Sequence, residues 1–129
     1  MKLIVKKYGG TSVATPTKIK NIAKKIVEES DRNKLVIVLS AMGNTTDNLV
    51  SLAKKCSKNP NLIDYDLLVS SGEQISISLL SMALKDLGKD SVAYTGWQAG
   101  IKTNNAHSTA RILGINANKI KQDLKMKKI

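Results

Sequence analysis

The chain is poor in several residue types that specialised proteins need. Its only cysteine, Cys56, cannot form a disulfide within the chain, which is typical of proteins in a reducing cytoplasm. His107 is the only histidine, so the chain lacks the residues for a histidine metal cluster or a catalytic triad. Phenylalanine is absent and aromatic residues make up 3% of the chain, too few for a platform that stacks single-stranded nucleic acid.

Long apolar runs are also missing. The run from Leu35 to Leu39 is far shorter than the roughly 20 residues that cross a bilayer. Lys2 makes the N-terminus basic, but the apolar run after it stops at Val5 and no small-residue cleavage site follows, so no signal peptide is predicted. We therefore expect a cytoplasmic protein with no membrane partner.

The charge of the chain is strongly positive, with a formal net charge of +11. Only Arg32 and Arg111 are arginines, and the lysines are spread along most of the sequence. This distribution favours a solvated lysine-rich surface over a nucleic-acid site, and we expect no nucleic-acid partner. A lysine-rich nucleic-acid binder is the rival hypothesis, and it predicts affinity that falls steeply with salt.

The first half of the chain alternates strands and helices. Residues 2–8 and 34–40 have the continuous apolar character of buried parallel strands. A helix is predicted between them from Pro16, capped by Thr15, and a second helix from a cap at Thr45 or Thr46 to about residue 57.

The second half is predicted to be mainly helical at first. Residues 64–87 carry a helical pattern that residues 70–73 interrupt, so two helices with a joint are possible from the pattern. A strand at 91–94, a loop at 96–107, a strand at 111–113 and a helix at 116–125 follow. Such alternation predicts an α/β fold with a mainly parallel sheet.

Three short motifs could carry chemistry. The first is Lys7-Tyr8-Gly9-Gly10, where the chain leaves the first strand. A lysine and two glycines at the carboxyl end of a strand can grip a phosphate through the ammonium group and backbone N–H groups. The same residues could form a plain tight turn, and the pattern is neither the Walker nor the dinucleotide-binding sequence.

The second motif runs from Ser40 to Asp47, between a strand and a helix. Its hydroxyls and the free N–H groups of a helix start favour an anion, although Thr45 or Thr46 could simply cap the helix. The third is Gly72-Glu73, a carboxylate in an apolar helical region. It could bind an ammonium group or face solvent.

In their order along the chain these motifs resemble the aspartokinase family, of the amino acid kinase fold. The resemblance covers nearly the whole sequence and includes four motifs: Lys7–Val13, Ser40–Asp47, Ser71–Ser76, and Thr95–Ile101 with Thr103, His107, Ala110, Arg111 and Ile112. It implies a three-layer αβα sandwich with a mainly parallel sheet.

The resemblance also implies the chemistry. Family members transfer the γ-phosphoryl group of ATP, with Mg²⁺, to the side-chain carboxylate of L-aspartate, which opens the route to lysine, threonine and methionine. It implies a catalytic role for Lys7 on the moving phosphoryl group, and binding of ATP phosphates by Lys7, Tyr8, Gly9, Gly10 and Ser40. Aspartate would be bound by Thr45, Thr46 and Glu73. No protein metal ligands are predicted.

Family members are much longer than this sequence. We therefore expect residues 1–129 to be the N-terminal part of a kinase domain, without the C-terminal nucleotide half or ACT regulatory domains, and with little or no activity alone. We expect a homo-oligomer (a dimer), or association through an open sheet edge. The alternatives are a non-catalytic binding or assembly module, and another amino acid kinase acting on glutamate, carbamate or a nucleoside monophosphate.

Overall fold

A computed structural model describes residues 1–129. Strands β1 (Lys2–Tyr8) and β2 (Asn33–Leu39) pair in parallel and are connected by helix α1 (Pro16–Ser30). Helices α2 (Thr45–Cys56) and α3 (Leu62–Asp86) follow. Strands β3 (Ile101–Thr103) and β4 (Ile112–Ile115) then form an antiparallel hairpin, and α4 (Asn118–Lys125) is the last element.

The first strand–helix–strand unit confirms the sequence prediction. The Thr15 side chain accepts a hydrogen bond from the Lys18 N–H at 3.3 Å, and Pro16 occupies the first turn of α1. The apolar residues at helical spacing are buried, and they are Ile19, Ile22, Ala23 and Ile26. Strand β2 lies within one residue of its predicted bounds.

The two faces of the β1–β2 sheet have different environments. Ile4 and Tyr8 pack against the core formed with α1 and α3, and Lys6 forms an ion pair with Glu29 of α1. Leu3, Val5 and Lys7 alternate with them and are exposed. The helices α1 and α3 therefore cover one face of this sheet.

Helix α3 is continuous over 25 residues, so the predicted interruption at 70–73 is wrong. Ser70 and Ser71 donate to the carbonyls of Leu67 and Leu68, which keeps both hydroxyls satisfied inside the helix. By length and composition alone α3 could cross a membrane, with a mean hydropathy of 1.4. Here it packs against α1, α2 and β2, and 22% of its most apolar window is buried.

The last third of the chain departs most from prediction. Residues 91–94 form no strand, although Val92 donates to the Ile129 carbonyl and the Ile129 N–H donates to the Asp90 carbonyl. The predicted loop at 96–107 contains β3, and the predicted strand at 111–113 lies at Ile112–Ile115. These strands are short and largely exposed, so their apolar patterns are weak signals.

Strand β2 pairs with β1 on one edge only. Beside its other edge lies an apolar groove of about 420 Å³, bounded by β2, by α3 and by the segments at 91–94 and 120–129. The sheet of this chain is therefore open on the β2 side.

Candidate functional site

The loops that follow β1 and β2 contact each other at the carboxyl end of the sheet. Gly43 N–H donates to the Gly10 carbonyl at 3.0 Å. A Cβ atom on Gly10 would lie 2.8 Å from the Ala41 carbonyl oxygen, so only glycine permits this approach. The first and second motifs therefore form one structural unit.

Unpaired backbone donors follow β1. The N–H groups of Gly9, Gly10 and Thr11 form no hydrogen bond within the chain. Gly9 is exposed, and a Cβ atom placed on it would meet nothing within 4 Å. The segment also forms a turn, because the Ser12 N–H donates to the Gly9 carbonyl at 3.0 Å. Consecutive free N–H groups in open space are nevertheless a suitable anion site.

A second set of free donors lies at the start of α2. The expected threonine cap is wrong: Asn44 is the N-cap residue, and it makes no side-chain capping bond. The N–H groups of Thr46 and Asp47 have no partner within the chain, and neither the Thr45 nor the Thr46 hydroxyl forms a hydrogen bond. These groups are available to a ligand.

The third motif packs directly on the second. A Cβ atom on Gly72 would lie 3.1 Å from the Ala41 Cβ and 3.4 Å from the Thr45 Cγ2. The buried Ser76 hydroxyl donates to the Ser40 carbonyl at 2.8 Å. These contacts bring the Glu73 segment of α3 to the same end of the sheet.

The Glu73 side chain is partly buried and forms no ion pair or hydrogen bond. It lies seven residues before Leu80, and residues at this spacing share one face of a helix. Leu80 is buried in the core. The Glu73 carboxylate therefore lies on the stripe of α3 that faces the sheet, near its end, where a ligand's ammonium group could pair with it.

The other predicted site residues, Lys7, Tyr8 and Ser40, lie in different environments. Lys7 lies near the end of β1 on the exposed face, without an ion pair, opposite the face that α3 covers. The Tyr8 side chain packs against the core, so only its backbone is available for phosphate binding. The Ser40 N–H donates to the Tyr8 carbonyl, and its hydroxyl forms no hydrogen bond.

No group of three or more His, Cys, Asp and Glu side chains is arranged to hold a metal ion. Sequence reasoning missed one residue of this region, Asp66, whose carboxylate accepts hydrogen bonds from the loop between β3 and β4. An aspartate in a helical pattern carries no signal that it will meet residues some 40 positions away.

Comparisons with known proteins show the family of this chain. The chain belongs to the amino acid kinase family, whose sequence profile matches residues 2–129. Within that family it is similar to aspartokinases: it is 49% identical over 130 residues to the aspartokinase of Bacillus sp. (strain MGA3). It is also 49% identical to aspartokinase 2 of Bacillus subtilis (strain 168). Each match covers 100% of this chain and 32% of the relative, so the chain spans about a third of their length, at the N-terminal end.

Solved structures show the same fold. The aspartate kinase from Synechocystis superposes with a TM-score of 0.84 at 39% identity, covering 100% of this chain and 21% of that one. E. coli aspartokinase III in complex with aspartate and ADP superposes with a TM-score of 0.77 at 20% identity, covering 98% of this chain and 39% of that one. The predicted α/β class, the amino acid kinase fold and the resemblance to aspartokinases are confirmed.

Proposed function

We propose that this chain is the N-terminal part of an aspartate kinase. The reaction transfers the γ-phosphoryl group of ATP to the side-chain carboxylate of L-aspartate and yields 4-phospho-L-aspartate, at the start of lysine, threonine and methionine biosynthesis. One observation carries the proposal: three motifs meet at one end of the sheet, and they contain unpaired N–H groups and an unpaired, partly buried carboxylate. The identity to aspartokinases supports the choice of substrate.

The residue roles follow from the chemistry of the groups. Glu73 pairs with the α-ammonium group of aspartate, and the hydroxyls of Thr45 and Thr46 hold its carboxylates. The N–H groups after β1 bind phosphate oxygens, with Ser40 nearby. Lys7 lies near the carboxyl end of β1, on the face opposite the one that α3 covers. Its proposed role is to neutralise charge on the phosphoryl group as it moves, because phosphoryl transfer depends mainly on positioning and on cations near the charged oxygens.

ATP and Mg²⁺ are the proposed cofactors. The free N–H groups of Gly9, Gly10 and Thr11 suit phosphate oxygens, whereas the chain offers no cluster of metal ligands. We infer that the nucleotide phosphates and water supply most of the coordination of Mg²⁺. When bound, the ion neutralises charge on the phosphates.

The length of the relatives bears on activity. Because residues 1–129 correspond to about a third of those proteins, we propose that the chain alone has little or no turnover. We further propose cytoplasmic localisation, and self-association as a dimer or through the open β2 edge. That residues 1–129 are the N-terminal part of a kinase domain, separate from its nucleotide half and from the regulatory domains, stays a prediction.

Binding of L-aspartate tests the site without requiring turnover. We expect addition of L-aspartate to shift the amide NMR signals of residues 40–46 and 72–74. Succinate is the matched control, because it keeps both carboxylates and lacks the ammonium group that Glu73 would bind. Equal binding of succinate, or no shift with either compound, would contradict the proposed site.

The non-catalytic alternative is tested by complementation. Mixing the chain with the remaining segment of a full-length aspartokinase should restore formation of aspartyl phosphate, trapped as its hydroxamate. Absence of product from a mixture in which the two parts demonstrably associate would favour a binding or assembly module.

A further inference from the structure

The carboxylate of Asp66, in the second turn of α3, holds the loop between β3 and β4. The Ser108 N–H donates to both carboxylate oxygens, at 2.9 and 3.2 Å, and the Ser108 hydroxyl donates at 3.3 Å. His107 Nδ1 lies 3.1 Å from the same carboxylate. The Ser108 N–H, and secondly the contacts of His107 and of the Ser108 hydroxyl, lower the pKa of Asp66 below its ordinary value.

The loop is fixed at its tip and at its base. Ser108 has φ of +63°, a left-handed conformation that is unfavourable for a serine and persists where surrounding contacts hold it. At the base, the Asn104 side-chain oxygen accepts from the N–H groups of Ala106 and Arg111. The segment 104–111 is therefore a defined structure whose tip meets α3 at Asp66.

Asp66 and Glu73 lie on the same face of α3. They are seven residues apart, which is nearly two helical turns and about 10 Å along the axis. The same stripe continues to Leu80 and Leu84 in the core. Because Ser76 contacts Ser40 just past the end of β2, the part of α3 before Ser76 extends beyond the sheet. The 104–111 loop thus docks on the side of α3 that also presents Glu73.

We propose that Asp66 is a positioning residue that holds the 104–111 loop as the outer wall of the cleft in which Glu73 binds its ligand. This inference rests on the proposed function. A wall about 10 Å from Glu73 leaves room for one small amino acid and the phosphate it receives. The loop fixed by Asp66 thereby limits the size of the amino acid that the site admits.

Hydrogen exchange tests the anchor independently of any ligand. Asp66→Asn keeps the shape of the side chain but replaces a charged acceptor by a neutral one. We expect the Ser108 amide to exchange about tenfold faster in this variant, as befits loss of a charge-assisted hydrogen bond. Asp64→Asn is the control, since Asp64 is exposed on the same helix and forms no hydrogen bond or ion pair with the loop. Ser108→Gly keeps the anchoring N–H group and should leave exchange at residue 108 slow. Equal exchange in wild type and Asp66→Asn would overturn the anchor.

Titration with L-aspartate tests the wall. We expect signals of residues 107 and 108 to shift together with those of 72–74, and Asp66→Asn to weaken aspartate binding about tenfold, again with Asp64→Asn near wild type. The thermal midpoint of each variant is measured alongside, because a merely structural role would change stability without a selective loss of affinity. Shifts at 72–74 without any at 107 and 108 would contradict the proposal that the 104–111 loop forms the outer wall of the cleft. They would leave the proposed function intact. No shifts at either segment would instead overturn the proposed function, while hydrogen exchange still decides the anchor.

Discussion

Neighbouring lysines of β1 show how a single position decides a residue's role. Lys6 points toward the helices and pairs with Glu29, whereas Lys7 points to the exposed face and has no ion pair. Alternation along a strand causes the difference. The sequence motif singled out Lys7 because it precedes the two glycines. Lys6 is a matched control, because it is also a lysine of β1 but lies on the other face of the strand.

The two lysines should separate function from stability. In a full-length aspartokinase containing this N-terminal region, we expect Lys7→Ala to lower the turnover number about a hundredfold or more, because a cation at the moving phosphoryl group is lost, with an unchanged unfolding midpoint. Lys6→Ala should lower the midpoint slightly and retain turnover. The hydroxamate assay and thermal unfolding measure both; near-normal turnover of Lys7→Ala would show that the role assigned to this lysine is wrong.

The adjacent glycines Gly9 and Gly10 offer a second comparison. A methyl group on Gly10 would collide with the Ala41 carbonyl, whereas one on Gly9 would meet open space. We expect Gly10→Ala to lower the free energy of unfolding by about 1–3 kcal/mol through overpacking. Gly9→Ala should stay within about 0.5 kcal/mol of wild type in urea unfolding, as for a surface change. Similar losses in both variants would contradict the contact between the two loops.

Among the secondary-structure elements, those with local signals were predictable. Thr15 and Pro16 mark the start of α1, and a regular apolar spacing follows. The continuity of α3 was not predictable, because whether Gly72 breaks a helix depends on the packing of Ala41 and Thr45 against it. Residues 91–94 have strand composition, but a strand needs a ladder of backbone hydrogen bonds, and the backbone of this segment is bonded only through Val92 to Ile129.

The cap of α1 can be tested directly. Thr15→Ala removes the acceptor of the Lys18 N–H, and we expect the free energy of unfolding to fall by about 1 kcal/mol. Thr17→Ala is the control, since Thr17 is also exposed in the first turn but accepts no capping bond. Urea unfolding at a fixed pH measures both; equal effects would mean that the Thr15 hydroxyl does not cap the helix.

The attachment of α4 should depend on pH. The Tyr94 hydroxyl donates to Asp123 at 2.5 Å, and this bond, followed by burial, raises the pKa of Tyr94 to about 12. The same bond lowers the pKa of Asp123. The stabilisation is complete below the ordinary tyrosine value of 10.0 and is lost as the pH rises through about 12. At the acid end it is present above 3.8 and is lost as the pH falls through the lowered pKa of Asp123.

Absorbance at 295 nm can follow the three tyrosines of the chain. Wild type should show a late ionisation phase from Tyr94, near its raised pKa of about 12, and Tyr94→Phe should remove that phase. In Asp123→Asn the late phase should move toward the ordinary value, because the charged acceptor is gone. A late phase that survives in Tyr94→Phe would assign the raised pKa to another tyrosine.

At the scale of the whole molecule, the fold class followed from alternating strands and helices, whereas the arrangement of the site did not. The motifs at Gly10, Ser40 and Gly72 were visible in the sequence, and parallel strands explain why the first two meet at one edge. The contact of Asp66 with Ser108 joins residues far apart in the chain and needed three-dimensional packing to appear. Local patterns thus predicted β1, α1 and β2 and the loops that follow the two strands, whereas the contact of Asp66 with Ser108 depends on long-range packing.

The open side of the sheet should affect association. Val38 is 44% exposed on the strand whose outer edge is unpaired. We expect sedimentation velocity to show self-association that grows with concentration, and Val38→Lys to reduce it, since a lysine on an edge strand opposes pairing. Leu52→Lys, at an exposed position on α2, is the control. A chain that stays monomeric at all concentrations would contradict association through this edge.

The pairing of β1 with β2 also bears on how the protein is made. Lys2 pairs with Asn33 and Tyr8 with Leu39, so every partner of this ladder lies in the first 39 residues. During synthesis the unit can close as soon as these residues leave the ribosome, because domains form from their N-terminal end. Until α3 is synthesised, Leu35 and Leu39 would have only α1 to pack against. In that interval the nascent chain presents a surface that chaperones recognise.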